Sequence, residues 1–204
     1  MRKVFVTGIG TDVGKTIVAA ILTEALQADY WKPIQCGSLE LTDTERVKRL
    51  VESKQSVFHS EAYRLRTPAS PHHAADVEGK KIHWGKLKLP ETENTLIIEG
   101  AGGILVPFNY KGETMLDMAN NWQTEVVIVS RNYLGSINHT LLTIKVLQDS
   151  GIKVLGIIFN GAANNSSEEV ILKTTKIPVL GRIKEEYEFT KDLITKYSRD
   201  YIFI

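Results

Sequence analysis

The chain has 204 residues, with 25 lysines and arginines against 24 aspartates and glutamates, and 43% of its residues are hydrophobic. This length and near-average composition predict one globular domain with its own core, and they exclude a disordered or low-complexity protein. The formal charge of +1 provides no bulk attraction for nucleic acid or for an anionic membrane. Any anion must therefore be bound by a few local groups.

Short β-branched runs alternate along the chain with longer helical patterns, which is typical of βαβ units around a parallel sheet. The predicted strands are residues 3–7, 30–34, 95–99, 125–130, 153–160 and 178–183. The predicted helices are residues 14–27, 44–53, 114–121, 136–150 and 167–176. We expect Ser136 to cap the fourth helix and Gly151 to end it.

The pattern fails over residues 59–90, where prolines and paired histidines predict a long surface excursion. No internal repeat or linker divides the chain. The sequence therefore predicts a single α/β domain over residues 1–204, a three-layer, doubly wound and mainly parallel sheet of the P-loop NTPase type.

Cysteine content and hydrophobicity predict where the protein works. The single cysteine, Cys36, excludes an internal disulfide and a multi-cysteine metal site, which favours a reducing, cytoplasmic setting. No apolar run approaches the roughly 20 residues of a membrane-spanning helix, and too few apolar residues follow the basic N-terminus for a signal peptide. We expect a soluble protein that binds neither nucleic acid nor membrane.

A glycine-rich loop joins the first predicted strand to the first predicted helix. It has the sequence Gly8-Ile9-Gly10-Thr11-Asp12-Val13-Gly14-Lys15-Thr16. Such a loop surrounds a phosphate chain with backbone N–H groups, while its lysine reaches the terminal phosphates and its hydroxyl binds Mg²⁺. The usual pattern has four residues between its glycines, but position 9 is Ile here. Phosphate binding is the favoured interpretation, and a plain strand-to-helix turn is the alternative.

Further polar groups follow predicted strands, at the edge where doubly wound sheets bind ligands. Glu99 ends an apolar strand, where either Mg²⁺ or a structural salt bridge would balance its charge. Lys32 is interpreted either as a solvated charge at a strand end or as a second cation for a transferred phosphate. Asp43 fits a helix cap, reinforced by Glu45, better than a metal ligand. Residues 100–103, Gly-Ala-Gly-Gly, are expected to bring the backbone close to a ligand.

A series of motifs, in order, resembles the dethiobiotin synthetase family, in which the longer spacing of the loop glycines is also found. The motifs are residues 8–16, Lys32-Pro33 with Cys36-Gly37, Asp43, Ser70-Pro71-His72, residues 99–103, residues 134–139 and Phe159-Asn160. This resemblance implies an ATP- and Mg²⁺-dependent ligase. In that family CO₂, or bicarbonate, joins one amine of 7,8-diaminononanoate as a carbamate, and ATP converts the carbamate to a carbamic-phosphoric anhydride. The second amine then displaces phosphate, which yields dethiobiotin, ADP and phosphate.

The resemblance also implies roles for the matching positions. The catalytic residues would be Lys32, Lys15 and Thr11, and the Mg²⁺ ligands would be Thr16, Asp43 and Glu99. The ATP-binding residues would be Asp12, Val13, Gly14, Lys15, Thr16, Ile17, Asp43, Glu99, Gly100, Ala101, Gly102, Asn160 and Gly161, with Asn160 at the adenine edge. The substrate contacts would be Thr11, Lys32, Cys36, Ser136 and Asn138. The family works as a homodimer with a shared site, so the helix start near Ser136 would serve the partner's substrate.

Two positions depart from the family pattern. Cys36 replaces a Ser or Thr and is a weaker hydrogen-bond donor. Lys184 replaces a proline beside the adenine. The sequence therefore does not predict whether the family's contacts at these two positions are kept.

Two alternative functions share this kind of loop. A partition or cell-division ATPase would carry a signature lysine five residues before Lys15, where this chain has Gly10. A small-molecule kinase on the same fold remains the second alternative. A glutamine-dependent ligase would need an additional domain, for which the chain is too short.

Overall fold

The computed structural model describes residues 1–200, and parallel strands form its centre. In chain order the strands are β1 (Lys3–Gly8), β2 (Asp29–Trp31), β3 (Ile34–Cys36), β4 (Phe58–His59), β5 (Tyr63–Leu65), β6 (Leu96–Gly103), β7 (Glu125–Arg131), β8 (Val154–Asn160) and β9 (Val179–Ile183). Within the described residues, a seven-stranded sheet has the order β4-β2-β6-β1-β7-β8-β9, and β3 pairs with β5 separately. All of these pairings are parallel.

Helices cover both faces of the large sheet. They are α1 (Lys15–Ala25), α2 (Asp43–Leu50), α3 (Pro71–Val77), α4 (Met115–Asn121), α5 (Ser136–Asp149), α6 (Asn165–Thr175) and α7 (Lys191–Asp200), with a short 3₁₀ helix at Trp84–Lys86. Helix α1 packs against α2 and α7, and α5 packs against α6. The central strands are buried on both sides, as in Ile97-Ile98 and Val127-Ile128, which is typical of a covered parallel sheet. The predicted three-layer α/β fold is confirmed, whereas the single-domain assignment stays a prediction.

The strand order places the glycine-rich loop at the centre of the molecule. From β1 the chain crosses to β2 and fills in β6 on one side, and it then builds β7, β8 and β9 on the other side. The direction of winding therefore reverses at β1. Ligands of doubly wound sheets bind outside the carboxyl ends of the strands at such a reversal, and the loop after β1 begins there.

Most predicted elements are confirmed, with ends shifted by a few residues, but the strand predicted at 30–34 is two strands. Pro33 interrupts it because proline has no N–H to donate to a ladder. The Pro33 carbonyl instead accepts from Tyr63 N, so β3 leaves the large sheet and pairs with β5. This break turns the chain at Lys32.

The prediction of a surface excursion over residues 59–90 is wrong. The segment contains β5 and α3, and it buries Leu65, Ile82 and Leu87 in the core. Its pieces are too short for a hydrophobic period to be recognised. Helix α7 was not predicted either, although Ile194 and Tyr197 show the i, i+3 spacing of a buried helical face.

The start of α5 also differs from the prediction. Gly135 is the N-cap, with φ 102°, and no side chain caps the helix. Ser136 is the first helical residue, and its hydroxyl accepts from Tyr133 N at 3.3 Å. The expected end is confirmed, because Gly151 has φ 69° just after the helix. Across residues 1–200, no helix has both the length and the apolar character that crossing a bilayer requires.

Candidate active site

A cavity of about 1050 Å³ opens at the carboxyl ends of the central strands. It gathers residues from the glycine-rich loop, the chain after β2, the start of α2 and the end of β6. The predicted site residues that line it are Thr11, Asp12, Gly14, Lys15, Thr16, Ile17, Lys32, Cys36, Asp43, Glu99, Ala101 and Gly102. The predicted site residues outside its lining are Val13, Gly100, Ser136, Asn138, Asn160 and Gly161.

Gly14 and Asn160, the last residue of β8, define the conformation of the glycine-rich loop. Gly14 is the N-cap of α1 with φ 98°, a region that favours glycine. A Cβ atom at Gly14 would collide with the Asn160 amide, which donates from Nδ2 to Val13 O at 2.8 Å. Asn160 therefore braces the loop without lining the cavity itself.

Lys15 is buried beside the loop, and its Nζ donates to Gly10 O at 2.8 Å. Burial, with the nearby Lys32 charge, lowers the pKa of Lys15 to about 8. An anionic phosphate in the loop would oppose both effects. The carboxylates of Glu99, Asp43 and Asp12 offset only part of the lowering, so a bound anion would stabilise the Lys15 ammonium further.

Lys32 lies in a buried ionic cluster. Its Nζ is 2.8 Å from Glu99 Oε1, 2.9 Å from Asp43 Oδ2 and 3.1 Å from Gly100 O. Burial alone would lower the pKa of Lys32, but the two carboxylates outweigh it and hold the pKa above its usual value. Lys32 is therefore charged and not solvated, so its interpretation as a solvated strand-end charge is wrong. Glu99 forms the structural salt bridge that is the alternative to metal binding in this structure.

Sheet register explains this meeting of charges. Trp31 is the partner of Ile98 across β2 and β6, so the next residues, Lys32 and Glu99, follow side by side. Glu99 is also paired with Val6 of β1, two residues before the glycine-rich loop begins. The same strand thus places one carboxylate next to both the loop and the lysine.

Asp43 reaches the cluster because a neighbour caps its helix. Thr42 is the N-cap of α2, and Glu45 completes a capping box with it, so the interpretation of Asp43 as the cap is wrong. The Asp43 carboxylate is free to contact Lys32 and the Thr16 hydroxyl. Burial would raise the pKa of Asp43, but Lys32 outweighs this effect and the pKa falls below its usual value.

The glycines after Glu99 serve packing as well as the cavity. A Cβ atom at Gly100 would lie 2.8 Å from the Phe5 ring, so this glycine is required by the core. Ala101 and Gly102 do line the cavity, as expected for a backbone near a ligand. Cys36 also lines it, and burial raises the pKa of its thiol to about 11, so Cys36 remains a protonated, weak donor.

Ser136 and Asn138 do not meet the rest of the predicted site within this chain. The Ser136 side chain is buried at the start of α5, whereas Leu134 just before it is fully exposed. A substrate contact from this helix start must therefore reach another molecule, or it must use backbone groups of the first turn.

The structure adds residues that the sequence analysis missed. Tyr30 donates its hydroxyl to Glu99 Oε2 at 2.8 Å. Arg46, Arg49 and residues 188–191 also line the cavity. Tyr30 could have been found, because alternate residues of a strand share a face and Tyr30 precedes Lys32 by two. The contribution of residues 188–191 depends on how α7 packs, for which the sequence has no local signal.

Comparison with known proteins identifies the family of this chain. A family model described as an AAA domain matches residues 2–192. The ATP-dependent dethiobiotin synthetase of Christiangramia forsetii is 50% identical over 98% of this chain and 96% of its own length. That of Cytophaga hutchinsonii is also 50% identical, over 97% and 96%. The chain belongs to the dethiobiotin synthetase family.

The fold of this family member is shared more widely than its sequence. The cell-division protein MinD of Pyrococcus horikoshii, solved with Mg-ADP, matches with a TM-score of 0.60 at 14% identity, covering 98% of this chain and 95% of MinD. MinD of Pyrococcus furiosus matches with a TM-score of 0.60 at 15% identity, covering 98% of both chains. These likenesses confirm the P-loop NTPase fold, and the closer sequence relatives favour the ligase over the regulatory ATPase.

The capping box of α2 should be measurable as stability. We expect Thr42→Ala to lower the free energy of unfolding by about 1 kcal/mol, because Glu45 N loses its acceptor. Urea denaturation of the purified chain measures this difference. The matched control is Thr44→Val, because the Thr44 hydroxyl has no hydrogen-bond partner among the described residues and its loss should not destabilise the protein. Equal losses in the two variants would contradict the assigned cap.

Proposed function

We propose that this chain converts 7,8-diaminononanoate, CO₂ or bicarbonate, and ATP to dethiobiotin, ADP and phosphate. The observation that carries the proposal is the cluster of Lys32, Asp43 and Glu99 in the same cavity as the glycine-rich loop. The family relatives supply the reaction, and this cluster gives the chain charged groups where that reaction would transfer phosphate.

The donor set fits Mg²⁺ bound together with a nucleotide. The Thr16 hydroxyl donates to Glu99 Oε1 at 3.0 Å and also contacts the Asp43 carboxylate, so the three side chains lie together. Among residues 1–200, no group of three or more His, Cys, Asp or Glu side chains forms a complete metal cage. Mg²⁺ is normally bound by one or two carboxylates, with phosphates and water completing its shell. When bound, Mg²⁺ would neutralise charge on the phosphate oxygens.

The side chains that line the cavity would have different roles in binding and catalysis. Lys15 and the first N–H groups of α1 would hold the phosphates. Lys32, kept charged by its carboxylates, would stabilise negative charge on the carbamate and on the transferred phosphoryl group, assisted by Thr11 of the same cavity. The nucleophiles are the carbamate and then the second amine of the substrate. No side chain needs to form a covalent bond, and positioning supplies much of the catalysis.

Adenine recognition would fall to residues at the end of β8. The Asn160 amide nitrogen already donates to Val13 O, which leaves its Oδ1 oxygen to accept from the adenine amino group. Gly161 follows it, with φ 95° and its N–H bonded to Ile183 O. Lys184 comes next after Ile183, so the departure from the family pattern lies beside this edge.

The cytoplasmic location stays a prediction from the sequence.

A homodimer would bring the start of α5 to the partner's cavity. Ser136 and Asn138 lie outside the cavity of their own chain, and the preceding Leu134 is fully exposed with Tyr133 half-exposed beside it. The N–H groups of a first helical turn suit a carboxylate such as that of the diamine substrate. The substrate site would therefore be completed by two subunits.

The reaction is tested by omitting one substrate at a time. We expect ADP to form only when both 7,8-diaminononanoate and bicarbonate are present, with equal amounts of dethiobiotin, because ATP has no acceptor until the carbamate exists. A coupled assay for ADP and mass spectrometry of the product measure this. Turnover of ATP at the same rate without the diamine would contradict the proposed reaction.

The role of Lys32 is tested by Lys32→Ala. We expect a loss of at least about 2.7 kcal/mol of transition-state stabilisation, roughly a hundredfold in kcat/KM, because a preorganised charge is removed. Steady-state kinetics measure it, and Lys48→Ala, an exposed lysine of α2, is the control. Thermal unfolding of both variants establishes that they are folded. A loss of less than about tenfold would show that Lys32 does not compensate phosphate charge.

The shared site is tested with Leu134→Asp. We expect this change to prevent dimer formation, because it places a charge on an exposed apolar residue, and to abolish dethiobiotin formation. Binding of ADP should persist, since Leu134 does not line the cavity. Analytical ultracentrifugation and calorimetric ADP titration measure the two properties. A demonstrated monomer with full activity would rule out the shared site.

A further inference from the structure

The two oxygens of the Glu99 carboxylate have different surroundings. Oε2 accepts a hydrogen bond from the Tyr30 hydroxyl at 2.8 Å, and both residues are buried. Oε1 accepts from Thr16 at 3.0 Å and from Lys32 at 2.8 Å. One oxygen thus faces the core, and the other faces the groups of the cavity.

Sheet packing keeps the tyrosine in place. Tyr30 is fully buried on β2, between β4 and β6, where its neighbours across the strands are Phe58 and Ile97. Its ring packs on the Phe58 ring with a centroid distance of 6.4 Å. Tyr30 does not line the cavity, and its hydroxyl is bonded to Glu99, which does. Any effect of Tyr30 on the site must pass through Glu99.

We propose that Tyr30 is a positioning residue that holds Glu99 with only Oε1 toward the cavity and thereby favours Mg²⁺ over Ca²⁺. The proposal rests on the metal site of the proposed function. Mg²⁺ requires near-octahedral geometry with few protein ligands, whereas Ca²⁺ accepts more oxygens and takes carboxylates through both of them. A two-oxygen contact from Glu99 would have to share Oε2 with the Tyr30 hydroxyl, which already takes up electron density of that oxygen through its hydrogen bond. This restriction disfavours the larger ion.

A purely structural role for Tyr30 makes a different prediction. If the hydroxyl only satisfied a buried carboxylate, its removal would weaken the fold and would affect both metal ions alike. A positioning role instead changes the ratio of the ATP affinity with Mg²⁺ to the ATP affinity with Ca²⁺. The Mg²⁺ to Ca²⁺ ratio therefore separates the two roles.

The test compares wild type with Tyr30→Phe, which removes one hydroxyl and keeps the ring. ATP affinity is measured by calorimetry with Mg²⁺, with Ca²⁺ and with EDTA, without diamine or bicarbonate, so no turnover occurs. We expect wild type to bind ATP more tightly with Mg²⁺ than with Ca²⁺. In Tyr30→Phe the ratio of these affinities should fall by about tenfold, the usual size of effects from groups that orient metal ligands. ATP affinity in EDTA should be unchanged, which also establishes that the variant is folded.

Two controls separate this effect from a general loss of a buried hydroxyl. Tyr63→Phe removes a hydroxyl that accepts from His83 N at 2.9 Å, outside the cavity lining, and it should leave the ratio at the wild-type value. In a Glu99→Gln background, Tyr30→Phe should have no further effect on the ratio, because Tyr30 acts through that carboxylate.

Three results would overturn the proposal: an unchanged ratio in Tyr30→Phe, a further change in the Glu99→Gln background, or equal ATP affinities with the two ions in wild type. The last of these requires no variant. Because the measurement contains neither the diamine nor bicarbonate, its outcome is independent of whether dethiobiotin forms.

Discussion

The buried ammonium of Lys32 between Glu99 and Asp43 connects the elements that build the cavity. Its partners come from β6 and α2, and Lys32 itself directly follows β2. Charges are costly to remove from water unless each has a close partner, and removing one member of a buried pair typically costs about 3–5 kcal/mol. The strands and α2 must therefore hold these groups in register. The same requirement brings two carboxylates to the side of the glycine-rich loop, where a nucleotide-bound cation would need them.

The surrounding structure serves this arrangement through ordinary backbone features. Pro33 ends β2, so Lys32 lies where the chain leaves the large sheet. Thr42 caps α2, so the Asp43 carboxylate is not used as the cap and can contact Lys32. Tyr30 occupies the core-facing oxygen of Glu99 and leaves the other for the cavity. Pro33, Thr42 and Tyr30 do not line the cavity themselves. They determine which polar atoms face the cavity and which are satisfied within the protein.

Much of the cavity lining could be predicted, because its residues occupy positions with local signals. The loop that ends in Gly14, Lys15 and Thr16 follows a strand and opens a helix, and Glu99 ends an apolar run. The sequence left two interpretations open where one residue type suits both a structural and a functional role. Asp43 fitted a helix cap because it comes just before a helical pattern, and only the structure shows that Thr42 has that place. Lys32 could be solvated or buried, and burial depends on what packs above the strand end.

The sequence by itself determined the fold class, the phosphate-binding loop and the family, because each depends on short-range patterns or on motifs in fixed order. Tertiary structure alone decided which partners meet. The pairing of Trp31 with Ile98 places Lys32 beside Glu99, residues far apart in the chain, and the packing of α7 brings residues 188–191 to the cavity. Tertiary contacts also decided the burial of short segments within residues 59–90 and the hydrogen bond from Tyr30 to Glu99. They depend on strand register and helix packing, which are contacts between distant segments that no local pattern encodes.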